Sequence, residues 1–253
     1  MKQFYLILLL ATGLVILWLL SNRFEMFSSD PVFLSREETA KLLSRDPGSY
    51  VANMSDPDLK ARGATTRQEY LQKCIQNAAD FTHKEKKHIS KLTRSIDKKV
   101  KKYQGKLLID IDTKVLKDIE WKFAKTNGSV CENGFPHTRA DVIFVSSETL
   151  KLDSKSLGQT LLHEKVHIYQ RLYPELVSRD IERAGYRKLA LRKTFPLSRA
   201  NCDLDEWVYI KDGEKPLLIE YRSESPVSIK DHDGVSKNEH PYETMAYDLE
   251  KIV

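Results

Sequence analysis

Leu161-Leu162-His163-Glu164-Lys165-Val166-His167-Ile168-Tyr169-Gln170 sets two histidines four residues apart in a segment with the period of a helix. On an α-helix, residues i and i+4 share a face one turn apart, so His163 and His167 can offer two imidazole nitrogens to one metal ion. Glu164 falls one residue round from that face, where a carboxylate can hold a water without itself being a ligand. Asp153 and Ser154 are candidate N-caps, and Leu157, Leu161, Ile168 and Leu172 keep an apolar face. Pro174 is placed to stop the helix, because an interior proline loses a hydrogen bond and clashes with the preceding turn. Taken singly, either histidine reads as an ordinary surface or core residue; the spacing gives them a joint role.

His163-Glu164-Lys165-Val166-His167 resembles the active-site helix of the zincin superfamily of zinc metallopeptidases. The metzincin branch would need Gly at 170 and His at 173, whereas this chain has Gln170 and Tyr173. The gluzincin branch takes a third ligand from a glutamate on a later helix. His240-Pro241-Tyr242-Glu243-Thr244-Met245-Ala246-Tyr247-Asp248 suits that part, with a proline fitted to a first helical turn, then Glu243 and a small residue at Ala246. Asp248 stands five residues beyond Glu243, where the thermolysin-like pattern has four, which leaves the subfamily open. Glu175 and Glu182 are rival ligands, closer in sequence but outside any such motif.

The resemblance implies one Zn²⁺ per chain held by His163, His167 and Glu243, with Glu164 as general base in peptide-bond hydrolysis. It implies a peptide or protein substrate and a further donor for the developing oxyanion. Tyr209, His240, Tyr242 and Tyr247 are the candidates for that donor, with His137 near the cleft rim and Asp248 as an outer partner of the histidines. It further implies that the strand just upstream, within Ala140–Ser147, is a sheet edge along which a peptide lies extended. An ordinary core strand would carry the same residues.

At the start of the chain, Phe4 to Leu20 is an uncharged run of seventeen residues. That is near the lower limit for a bilayer span and long for a signal peptide. No small-x-small cleavage site follows, so an uncleaved signal anchor is expected, with a cleaved signal peptide and secretion as the alternative. Lys2 before the run, against Arg23 and Glu25 after it, places the N-terminus in the cytosol and the rest in a lumen or outside the cell. Asn53-Met54-Ser55 and Asn127-Gly128-Ser129 would then be glycosylation acceptors in a eukaryotic host. Cys74, Cys131 and Cys202 allow at most one internal disulfide and form no Cys-x-x-Cys metal site.

Three segments follow: residues 1–23 as the anchor, 24–66 as a breaker-rich linker or an arm packed on the catalytic domain, and 67–253 as a basic helical segment plus the zincin-like domain. Ser35-Arg36-Glu37-Glu38 and Thr82-His83-Lys84-Glu85 are capping boxes. Between Lys84 and Lys102, nine Lys/Arg face two acidic residues. Such a run can dock on lipid or nucleic acid, but a solvated helix face is the commoner meaning; a net charge of +5 and the absence of interleaved aromatics argue against nucleic acid. Lys106–Ile111 reads as a strand, Lys114–Ala124 is ambiguous, Pro174–Leu191 reads as a helix, and Trp207–Tyr221 reads as a hairpin about Asp212-Gly213.

The expected fold class is α+β, a small sheet with an edge strand packed on active-site helices, after an N-terminal transmembrane helix and a helical region. The expected function is a membrane-anchored zinc metallopeptidase. The rivals are a non-catalytic anchored protein with a structural or vestigial zinc site, and a basic-helix protein that docks on lipid or nucleic acid.

Overall fold

Residue-by-residue alternation in Val142–Ser146 organises the architecture, because this strand is buried on both faces. Ile143 and Val145 point into one hydrophobic core, while Val142 and Phe144 point into a second. The structure, a computed structural model, describes residues 30–234 and 239–253. Residues 31–253 form one compact unit of class α+β. The apolar run Phe4–Leu20 lies outside the described residues, among which no helix is long and apolar enough to cross a membrane.

A five-stranded mixed sheet lies at the centre. Strand β3 (Lys122–Thr126) takes β1 (Val32–Phe33) in parallel and β2 (Ala78–Ala79) antiparallel on one side. On the other side β3 pairs in parallel with β5 (Val142–Ser146), which in turn takes β4 (His137–Arg139) antiparallel. The upstream strand expected at the sheet edge is therefore internal. The edge is β4, and its Thr138 N–H donates to Asp203 Oδ1 at 2.6 Å.

On one face of the sheet, helices α1 (Arg36–Ser44), α2 (Asp56–Ala61) and α3 (Arg67–Gln76) build a core around Leu43, Met54, Leu59 and Tyr70. Capping boxes at Ser35 and Ser55 start the first two helices by satisfying otherwise orphaned backbone donors. The described part of residues 24–66 packs on the sheet through Leu43, Met54 and Leu59. On the opposite face lie α4 (His83–Lys102), α5 (Thr113–Asp118), α6 (Ser154–Leu172) and α8 (Pro241–Leu249), the last following α7 (Pro174–Arg183). Asp153 caps α6 by accepting from Lys155 N and Ser156 N. Leu157, Leu161, Leu162, Val166 and Ile168 of α6 are fully buried, so the helix is clamped between sheet and helices.

Three local expectations fail for identifiable reasons. Lys106–Ile111 buries Leu107 and Ile109 and exposes Leu108, which is strand-like alternation, but it lies on helices rather than beside a strand and forms no ladder. The helix after Pro174 stops at Arg183, because Gly185 adopts φ +90 and turns the chain. Tyr186–Leu191 is instead strand β6, paired antiparallel with β7 (Trp207–Lys211). That pairing takes the place of the expected Asp212-Gly213 hairpin, of which only the Tyr209–Leu217 bridge forms.

Two buried devices hold the outer helices to the sheet. Cys74 on α3 is disulfide-bonded to Cys131, and Cys202 is free. Arg62, after α2, donates to Glu132 Oε2 at 2.8 Å, to Tyr50 Oη at 2.6 Å and to the Ala200 carbonyl at 3.0 Å. Burial opposes ionisation of Glu132, but the charges of Arg62 and Arg139 outweigh it and hold the carboxyl well below the usual carboxylate range.

Breaking the bridge with Cys74→Ala frees a loop spanning 57 residues and is expected to lower stability by about 2–4 kcal/mol, read as the midpoint of urea unfolding. Glu132→Gln removes the nearer of two buried carboxylates beside Arg62, leaving Asp58 at 3.9 Å, and is expected to cost about 3 kcal/mol at neutral pH. A depressed carboxyl pKa stabilises the fold above the unfolded value of about 4.3 and loses that contribution as pH falls through the folded value. Urea midpoints measured from pH 7 downwards should therefore fall with acidification in the wild type and flatten in Glu132→Gln.

Candidate metal centre

Helix α6 presents His163 and His167 on one face, their ring centroids 4.8 Å apart. Each ring is held through its Nδ1. His167 Nδ1 lies 2.8 Å from Gln170 Oε1, and the Gln170 amide nitrogen donates to the Tyr242 carbonyl at 2.9 Å. That second bond fixes which end of the amide is oxygen, so His167 Nδ1–H is the donor and Nε2 keeps its lone pair. His163 Nδ1 lies 2.9 Å from Glu250 Oε2. Both Nε2 atoms therefore turn the same way, toward α8.

Helix α8 starts at His240, whose own Nδ1 accepts from Tyr242 N, with Pro241 in the first turn as expected. One turn in, Glu243 sets Oε2 3.3 Å from His163 Nε2 and Oε1 3.8 Å from His167 Nε2. Asn201 Nδ2 donates to Glu243 Oε1 at 3.0 Å. One ligand atom from each of His163, His167 and Glu243 lies within 4.8 Å of the others, so the three could hold one ion. Burial opposes the charge on Glu243, but the hydrogen bond from His163 and the fields of both imidazoles lower its pKa to about 2. Burial also opposes protonation of His163, yet hydrogen bonds to Glu243 and Glu250 raise its pKa well above the ordinary value. For His167 burial prevails and its pKa falls.

Glu164 is 3% exposed and its Oε2 has no hydrogen-bond partner. Burial, with Asp203 and Glu243 nearby, raises its pKa well above the usual range. A buried carboxylate oxygen without a partner is costly and seldom retained without use. It lines a cleft of about 380 Å³ together with Phe135, His137, Asp203, Ile229 and Tyr247.

The other sequence candidates divide in two. Tyr247 stacks edge-on to His163 at 4.6 Å and lines the cleft, as does His137, which is buried in β4 with Nδ1 on the Phe135 carbonyl and Nε2 unpartnered. Tyr209, His240 and Tyr242 gather elsewhere. Tyr209 Oη donates to Asp205 at 2.9 Å, His240 Nε2 lies 3.1 Å from Asp205, and the His240 ring packs edge-on against both tyrosines. Asp205 thereby braces the start of α8, and these three side chains do not line the cleft. Asp248 accepts from Leu108 N and Lys251 Nζ and is not the partner of either histidine. Glu175 and Glu182 are exposed on α7.

Gln170, Asn201, Asp203 and Glu250 were not singled out by the sequence. Two had a readable signal: Gln170 follows His167 by three residues, and Glu250 follows Glu243 by seven, two turns on the same face. Asn201 and Asp203 come from an irregular segment that nothing local could place. No family model, curated protein or solved structure matches the chain.

Partners that orient a ligating histidine typically affect metal affinity by about 10–100-fold. Glu250→Ala is therefore expected to weaken binding of a divalent metal by that factor in a competitive chelator titration. Asp248→Ala should leave the affinity unchanged.

Proposed function

We propose that the chain is a membrane-anchored zinc metallopeptidase with a zincin-like catalytic unit. The convergence of His163 Nε2, His167 Nε2 and the Glu243 carboxylate beside the unpartnered oxygen of Glu164 supports this reading above all else. A two-nitrogen, one-oxygen donor set suits zinc, and tetrahedral bonds of about 2.0–2.1 Å put neighbouring ligand atoms about 3.4 Å apart. With one ligand atom from each residue the three lie within 4.8 Å of one another, a wider spacing that a bound ion would draw in. A zinc bound there would supply the Lewis acidity that makes water nucleophilic near neutral pH.

Glu164 takes the proton of the attacking water and returns it to the leaving amine. Its buried position at the cleft suits a group that must pass a proton from the water to the leaving amine. A structural site would have no use for this carboxylate. The oxyanion needs a donor besides the metal. Tyr247 can serve, since burial raises its phenol to about 12 and keeps the hydroxyl protonated. His137 is less suited, because its Nδ1 faces the Phe135 carbonyl and a neutral ring then offers only an acceptor at Nε2. It fits instead as an acceptor for a substrate N–H. The membrane part of the proposal rests on the composition of Phe4–Leu20.

Zinc per chain, measured by mass spectrometry on the purified full chain, tests the reading. One zinc is expected in the wild type and in Glu164→Gln, with loss in His163→Ala and Glu243→Ala. Peptidase activity of Glu164→Gln should fall by about 10²–10⁴ in kcat/KM with zinc retained. A folded, zinc-supplemented wild type that binds no metal sinks the proposal.

A further inference from the structure

The outer face of α4 carries a row of exposed lysines. Lys84, Lys87, Lys91, Lys98 and Lys102 recur at spacings of three, four, seven and four, with Arg94 in the wide gap, so they form one stripe along 20 residues. All five lysines are exposed. The opposite side carries Ile89, Thr93, Ile96 and Val100, which are buried against the core. Both acidic residues of the helix are engaged below the stripe. Glu85 pairs with Lys125 and closes the capping box, and Asp97 accepts from Lys165 and the Trp121 indole. Lys86 lies over the Phe33 ring and Lys99 reaches the Val253 carbonyl, whereas the five stripe lysines form no ion pair among the described residues.

Like charges three and four residues apart repel and weaken a helix, so an unbroken stripe works against the folding of its own helix. A solvated face has no need to exclude acidic residues so completely. We propose that this face of α4 docks on a surface of anionic phospholipid headgroups. The stripe is straight and about 30 Å long, the geometry of a helix lying along a plane. Its cations are lysines, point charges suited to mobile headgroups, with a single arginine and no aromatic side chain for bases to stack on. The same chain carries the apolar run Phe4–Leu20, which would hold α4 near a bilayer and raise its effective concentration there. Each lysine at an anionic surface strengthens partitioning by about fivefold, so several together outweigh weak affinity at any one of them. The inference is independent of the peptidase reading and leaves the zinc residues untouched.

The test is lysine footprinting of the full chain with an amine-reactive reagent, read by mass spectrometry. Vesicles of phosphatidylcholine alone are compared with vesicles containing about one third phosphatidylglycerol. Several-fold protection of Lys84, Lys87, Lys91, Lys98 and Lys102 in the anionic vesicles only, abolished by high salt, is the expected result. In the triple variant Lys87→Glu, Lys91→Glu, Lys98→Glu, protection of Lys84 and Lys102 should disappear. These positions are exposed, and a urea-unfolding midpoint equal to that of the wild type serves as the control for folding. Equal reactivity in both vesicles, or protection that survives in the triple variant, overturns the inference. Protection by a duplex oligonucleotide that exceeds protection by anionic vesicles overturns it in favour of nucleic acid. Attachment to neutral vesicles reports separately on the Phe4–Leu20 anchor.

Discussion

His167, Glu164 and Glu243 are buried and His163 is half-buried beside them where α6 meets α8, and such groups are tolerated only where their polar atoms are met. The fold meets nearly all of them. Glu250 and Gln170 take the Nδ1 atoms, and the Gln170 amide is itself fixed by the Tyr242 carbonyl of α8. Glu243 receives Asn201 and faces both Nε2 atoms. Among these side chains only Glu164 keeps an unpartnered oxygen, and it does so at the cleft. The packing of α8 on α6 is thus inseparable from the placement of His163, His167 and Glu243, because the contacts that orient the rings also set the helices' register.

The irregular segment from Arg199 to Asp205 has no regular secondary structure, yet it ties the cleft together. Ala200 accepts from Arg62, Asn201 holds Glu243, Asp203 binds the edge strand, and Asp205 braces Tyr209 and His240 at the start of α8. The links reach Arg62, the edge strand, β7 and α8. A loop whose polar groups find partners on several elements is fixed by the tertiary structure around it, and it fixes that structure in return.

What the sequence disclosed follows from where the determining forces act. Helix starts were legible at Ser35, Thr82, Asp153 and Pro241, because capping depends on residues three or four apart. The grouping of His163, His167 and Glu243 was legible because helical spacing fixes the first two, and the third stands at a recognisable helix start. Lys106–Ile111 misled because alternation reports two-sided burial, whether a strand or a helix lies alongside. The stop at Gly185 carried a local signal, a glycine suited to positive φ, that was outweighed by the apolar period running on to Leu191. Arg62, Glu132, Asn201 and Asp203 were invisible because their partners lie 40 to 70 or more residues away, as in the separations of 70 and 138 at Arg62. The partner of His163 was misassigned for a simpler reason: Asp248, five residues past Glu243, points round the helix to Leu108 N, while Glu250 returns to the same face.

The placement of β4 constrains how any extended peptide could use the cleft. Because β5 is internal, the free side of the sheet belongs to His137–Arg139. In an antiparallel pair, successive residues alternate in which way their backbone groups point, so a three-residue edge offers few outward donors. The Thr138 N–H is already given to Asp203 Oδ1, which also accepts from Thr138 Oγ1 at 2.6 Å, while Arg171 clamps that hydroxyl at 2.9 Å. Strand addition at Thr138 would therefore have to displace a charge-assisted pair held from both sides. The cleft wall beside Glu164 instead offers side chains, among them His137, whose buried Nε2 has no hydrogen-bond partner. On the peptidase reading proposed above, substrate selection would accordingly depend on hydrogen-bonding groups near the scissile bond more than on a long run of backbone pairing.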